Sequence, residues 1–193
     1  MRPVLQRSRR LGAGFLRDRS GVAAVEFALI SPTVILILVG LIDLGGLLYT
    51  RFQLNASLSA AANYAMVNQA SVSSTTGASL ASTLAGLISS GQASNWADSA
   101  VTVNNGPTAG SSGGTVTTGG TASNADRCYC PTGTSASVTW GGSQTCGTTC
   151  PAGGYAGKFV LLSASRAYSP IFIGYGMLSQ SGTMTVSSLV QVQ

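Results

Sequence analysis

The residues able to do chemistry fall into two groups far apart in this chain of 193 residues. Cys128, Cys130, Cys146 and Cys150 are its 4 cysteines, confined to CYCPTGTSASVTWGGSQTCGTTC as a C-x-C followed by a C-x-x-x-C. Four thiolates so arranged would suit zinc in a reducing compartment and two disulfides in an oxidising one. The second group is Gly21, Val22, Glu26 and Phe27, where a glycine closes an arginine-rich stretch and a carboxylate with an aromatic neighbour heads an apolar run. A carboxylate in such surroundings needs a cationic or hydrogen-bonding partner. Elsewhere the chemistry is sparse: there is no histidine, Lys158 is the sole lysine, and Asp and Glu together number 5. Imidazole-dependent triads, histidine metal sites and lysine Schiff bases therefore lack most of their parts. The expectation is a protein with no enzymatic activity, no cofactor and no bound metal.

Which cysteine chemistry applies depends on topology, and topology is written in the charges. Only 8% of residues are charged, against roughly a quarter in ordinary soluble proteins. The net charge of +5 is local, because Arg2, Arg7, Arg9, Arg10, Arg17 and Arg19 face only Asp18 within residues 1–21, and the remaining cations and acids balance. A basic face for nucleic acid is therefore not expected. From Val22 to Tyr49 the chain reads VAAVEFALISPTVILILVGLIDLGGLLY, with Glu26 and Asp43 its only charges. The stretch 27–42 between them extends about 24 Å as a helix, short of the roughly 30 Å hydrocarbon core, so at least one of these acids must lie at or inside its edge. The arginines before the run orient the N-terminus to the cytoplasm and everything after about Tyr49 outside it. There, thiols oxidise, and two disulfides are favoured over zinc. Spacing leaves the pairing open between Cys128–Cys150 with Cys130–Cys146 and the crossed alternative, Cys128–Cys146 with Cys130–Cys150.

The apolar run is longer than the roughly 7–15 residues of a secretory signal, and no A-x-A site follows it closely. Ser8-Arg9-Arg10 begins like a twin-arginine signal, but Leu11-Gly12-Ala13 does not continue one. The stretch Arg17-Asp18-Arg19-Ser20-Gly21-Val22-Ala23-Ala24-Val25-Glu26-Phe27 resembles a prepilin-peptidase site. From Ser20 to about Met66 the sequence is similar to the TadE-like minor pilins, or pseudopilins, of tight-adherence (Flp) pilus systems. That resemblance implies cleavage between Gly21 and Val22 by a membrane prepilin peptidase, assembly through Glu26 and Phe27, and other pilins and pilus assembly proteins as partners. It also implies residence in a bacterial inner membrane as a single-pass protein, with the C-terminal part periplasmic and associated with a pilus. A different class of function, an anchored extracytoplasmic binding or adhesin module, would keep residues 1–21 and act through the cysteine segment and the aromatic-containing apolar patch Ile171–Tyr175.

The intervening elements must position these groups. Within the span, Pro32 should loosen or kink the helix, and Gly40, Gly45 and Gly46 keep its outer half slim. Beyond it, Phe52, Leu54, Leu58, Ala61, Ala62, Ala65 and Met66 recur at helical spacing, which predicts a stem continuing to about Asn68. Leu80, Leu84, Leu87 and Ile88 predict a second helix over 78–89, stopped by Gly91. Residues 104–125, rich in glycine, serine and threonine, read as a mobile loop with no core pattern. Strands are expected at 158–168 and 183–192, the second presenting Met184, Val186, Ser188, Val190 and Val192 on one face, with Val101 to Val103 as a short edge. The parts are thus a leader (1–21), a membrane helix (22–49), a helical stem and second helix (50–103), a loop (104–125) and a disulfide and strand region (126–193). The expected fold class is α+β: a long N-terminal transmembrane and stem helix, a short second helix and a small antiparallel sheet, pilin-like.

Overall fold

The computed structural model describes residues 21–170 and 182–193. The leader and the apolar segment 171–181, with its expected patch at Ile171–Tyr175, lie outside the described residues. Helix α1 runs unbroken over Val22–Val67, through Pro32. Its first half is apolar on all sides and largely bare, whereas its second half buries Leu54, Ser57, Leu58, Ala61 and Ala65 along one stripe. Phe52 and Met66, expected on that stripe, instead face outward. A single 3-10 turn at Gln69–Ser71 reverses the chain into α2, Gly77–Ser89, which buries Leu80, Ala81, Leu84, Ala85 and Ile88 and leaves Leu87 outside.

Five strands form one antiparallel sheet: β1 (Asp98–Val103), β2 (Pro107–Ser112), β3 (Thr115–Gly120), β6 (Phe159–Tyr168) and β7 (Gly182–Gln191). Their order is β3-β2-β1-β6-β7, and a separate hairpin pairs β4 (Thr132–Thr134) with β5 (Ser137–Thr139). The two helices cover one face of the sheet. The core joins Leu54, Leu58, Leu84 and Ile88 to Val101, Val103, Val160, Leu162 and Ala164. Met184, Val186 and Val190 of β7 pack against it and Val192, just past the strand, is buried in it, as their alternation predicts.

Two expectations are corrected here. Residues 104–125 are not a mobile loop but contain β2, β3 and a 3-10 turn at Ala122–Asp126. Composition misleads because α2 lies so close to the sheet that only small side chains fit beneath it. Ala109 and Ser111 are buried there, and on neighbouring β1 the Ser99 hydroxyl donates to the Ala85 carbonyl at 2.9 Å. Glycine is also required at the end of β3: Gly120 has φ +84, and a Cβ there would collide with the Gly106 carbonyl. Second, β1 is the central strand rather than an edge, since it is paired with β2 on one side and β6 on the other.

Asn104, at the turn after β1, ties these parts together. It is fully buried with φ 51, and its amide nitrogen donates to the carbonyls of Asn124, Ala125 and Arg127, while its side-chain oxygen accepts from the Phe159 amide at 3.2 Å. A short polar side chain is among the few that tolerate left-handed backbone and bond locally from it.

Candidate functional site

Gly21 sits at the N-cap of α1 with φ −88, and its carbonyl accepts the first helical hydrogen bond, from Val25. A Cβ at Gly21 would meet nothing within 4 Å. Among the described residues neither space nor backbone conformation demands glycine here. The helix then exposes Val22, Val25, Glu26 and Phe27, the last at 73%. Glu26 has no ion pair among the described residues. From Val22 onward the helix has a mean hydropathy of 2.4 over its most apolar window, only 6% of which is buried inside the protein. A core helix of a soluble protein would be mostly covered, so this stretch has the length and surface for a bilayer.

The first protein cover on α1 comes at Val39 and Asp43, both buried. Two hydrogen bonds orient the head on the helix. At one end of β6 the Lys158 ammonium donates to the Val72 carbonyl at 3.0 Å, just past the end of α1; at the other, the Tyr168 hydroxyl donates to the Asp43 carbonyl at 2.7 Å. The 10 residues of β6 extend about 33 Å, and Gly46 to Val67 on α1 about 32 Å. β6 therefore lies alongside the outer half of α1 in the opposite direction, and its Tyr168 end points back toward the apolar half. Partial burial, then the nearby Asp43 carboxylate, pushes the Tyr168 phenol above its ordinary range, so it stays a hydrogen-bond donor at neutral pH.

The cysteines lie at the far end of the head. Cys128 pairs with Cys146 and Cys130 with Cys150, at Cα separations of 5.1 and 5.6 Å. This is the crossed pairing, and it gathers Cys128, Cys150 and Ala156 into a small interior of their own. Tyr129 is buried beside it and meets Trp140 edge to face at 6.0 Å. A cleft of about 360 Å³ opens between this lobe and the sheet edge, lined by Pro131, Gln144, Tyr155, Phe159, Leu189 and Gln191 among others. Its lining holds no carboxylate, amine or free thiol. Among the described residues no three or more metal-ligating side chains gather.

The spacing of Gly21, Val22, Glu26 and Phe27 places them together at one end of α1, and the cysteines together at the opposite end of the molecule. Two contacts escaped the sequence reading: Asp43 with Tyr168, 125 positions apart, and the Arg166 guanidinium, 4.5 Å above the Trp96 ring. A hint of the second was present in β6, where Arg166 falls on the same alternation as Leu162 and Ala164.

Residues 21–63 match the family described as TadE-like protein, slightly less than a quarter of the chain. No curated protein matches the chain, and no solved structure does. The match and the bare apolar helix at its centre fit a membrane-anchored, pilus-related protein.

Proposed function

We propose that this chain is a minor pilin, or pseudopilin, of a tight-adherence pilus system, anchored by one membrane span and assembled through α1. The observation that carries this reading is a helix beginning at Val22, directly after Gly21, largely bare as far as Val39 and matched to the TadE-like family over residues 21–63. Val22 to Asp43 extends about 32 Å, close to the roughly 30 Å hydrocarbon thickness, which supports an outer bilayer edge near Asp43 within the span 22–49. The leader arginines hold the N-terminus in the cytoplasm, and the head with its disulfides stands in the periplasm.

Cleavage after Gly21 by a prepilin peptidase follows from the same reading. It is supported by the absence of any demand for glycine among the described residues, which leaves an enzyme that must grip the backbone at the scissile bond as the source of that demand. Cleavage gives Val22 a new amine about 6 Å along the axis from Glu26. A neighbouring subunit displaced by that rise brings its amine to this carboxylate, and the pair sets the stagger between subunits. Phe27, exposed on the same stretch of helix, packs against the same neighbour. Other pilins and the assembly proteins of the inner membrane are the partners.

The test is the N-terminal residue of protein recovered from the membrane fraction. Val22 is expected for the natural sequence, and Gly21→Leu should retain the leader. A Gly21→Leu protein of normal mature mass sinks the processing assignment, while a natural protein that keeps residues 1–21 favours the anchored binding module.

A further inference from the structure

The end of the sheet nearest the bilayer carries a half-buried cation with no acceptor among the described residues. Core-facing positions of β6 run Val160, Leu162, Ala164, Arg166 and Tyr168, so the strand changes from aliphatic to polar as it approaches the level of Asp43. The Arg166 guanidinium stacks on Trp96, and among the described residues no oxygen accepts a hydrogen bond from it. Asn95, Asp98 and Gly113 border it in an open cleft of about 270 Å³. Asp98 is exposed and forms no ion pair with it. The guanidinium's five N–H donors thus border an open cleft, with an aromatic plate holding the group in place.

The position of this cleft says what it meets. Arg166 lies two residues, about 7 Å, from Tyr168 along the strand. The headgroup layer of one leaflet is about 5–8 Å deep beyond the hydrocarbon. If the span ends near Asp43, the Arg166 donors stand at the depth of the lipid phosphates. Tryptophan is enriched at that depth, and guanidinium matches a phosphate with two parallel hydrogen bonds. We propose that the Trp96–Arg166 cleft binds the phosphodiester of a phospholipid in the periplasmic leaflet and seats the head on the bilayer. The proposal rests on the single-span reading above. A soluble anion would need no such depth, and the span makes lipid phosphate the group permanently within reach.

The test uses the full chain in vesicles of phosphatidylethanolamine and phosphatidylglycerol doped with a phosphatidylcholine bearing a nitroxide on its headgroup. The chain has 2 tryptophans. Trp140→Phe leaves Trp96 as the reporter, and Trp96→Phe leaves Trp140, which belongs to the far lobe. Headgroup nitroxide should cut Trp96 emission about twofold and leave Trp140 unchanged, as expected for an indole at the interface. Arg166→Gln in the Trp140→Phe background should lower the seated population about fivefold, with Arg166→Lys between the two. Inorganic phosphate in the aqueous phase should not relieve the quenching. Trp96 no more quenched than Trp140, or quenching relieved by inorganic phosphate, overturns the proposal. Flotation with the vesicles after alkaline carbonate washing reads anchoring separately: vesicle-bound protein with unquenched Trp96 removes only the headgroup contact, whereas protein that washes off removes the span and this proposal together.

Discussion

Reducing both disulfides should unfold the far lobe and leave the rest of the head folded. The lobe between Cys128 and Gly157 has an interior of Cys128, Cys150 and Ala156, so its covalent links are also most of its core. Each bridge closes a loop of sequence separation 18 or 20, which restricts the unfolded chain by about 3 kcal/mol apiece and about 6 kcal/mol together. What opposes unfolding once they are gone is the burial of Tyr129, about 2 kcal/mol, and its edge-to-face contact with Trp140, about 1 kcal/mol. The balance favours an open lobe. By contrast, the main core draws on α1, α2 and four of the five sheet strands and contains no cysteine. Amide hydrogen exchange separates the two regions. In the oxidised protein, Tyr129 donates to Gly157, Gln144 to Cys128 and Ala156 to Thr148. Reduction should speed exchange at these amides by about a hundredfold or more, the factor that about 3 kcal/mol implies. The amides of Val101 and Leu162 should change little. Lobe protection that survives reduction would refute the claim that sulfur is its core, and simultaneous loss at Leu162 would refute its independence.

Glu26→Gln should leave insertion, leader removal and the head's stability unchanged within about 0.5 kcal/mol, since Glu26 touches no part of the head; recovery in pilus-associated complexes should fail, and undiminished recovery would refute an assembly role. Asn104→Ala strips three carbonyls and the Phe159 amide of their partner and puts alanine at φ 51, a loss of about 3–4 kcal/mol to be read from the urea midpoint. The side-chain and backbone hydrogen bonds from Ser74 hold the Asp126 carboxyl below its ordinary value. Its contribution is therefore fully present above about pH 4 and is lost as pH falls through the lower folded value. Exchange of the Ser74 amide should quicken over that range in the natural protein, whereas Asp126→Asn should remove the dependence.

The helices and the two long strands were legible because each buries one side along its whole length. Leu54, Leu58, Ala61 and Ala65 keep helical spacing, and Met184 to Val192 alternate. The stripe does not predict which side chains lie at its margins, so Phe52, Met66 and Leu87 keep the helical spacing of the stripes yet face out. Residues 104–125 were illegible for a different reason. A strand pressed under a close helix buries alanine and serine, and β3, exposed throughout, buries nothing, so neither leaves a hydrophobic pattern. The disulfide pairing could not be read because the two arrangements close loops of similar length and differ little in entropy. The Gly21–Phe27 cluster was visible as a local motif, whereas the contacts of Asp43 with Tyr168 and of Arg166 with Trp96 join distant segments and have no local signature.

The antiparallel course of β6 along α1 has a mechanical consequence. A pull applied between the far lobe and the membrane acts along the strands, at right angles to the hydrogen bonds of the ladder. All the bonds joining β6 to β7, from Phe159↔Gln191 to Tyr168↔Gly182, are then sheared at once rather than opened in succession. The six registered pairs between β1 and β6 share the load in the same way. Within the lobe, Cys128–Cys146 and Cys130–Cys150 limit how far the chain between them can extend before tension reaches the sheet. The head is thus built as a tether that resists traction along α1 far better than a force that peels one strand from the edge.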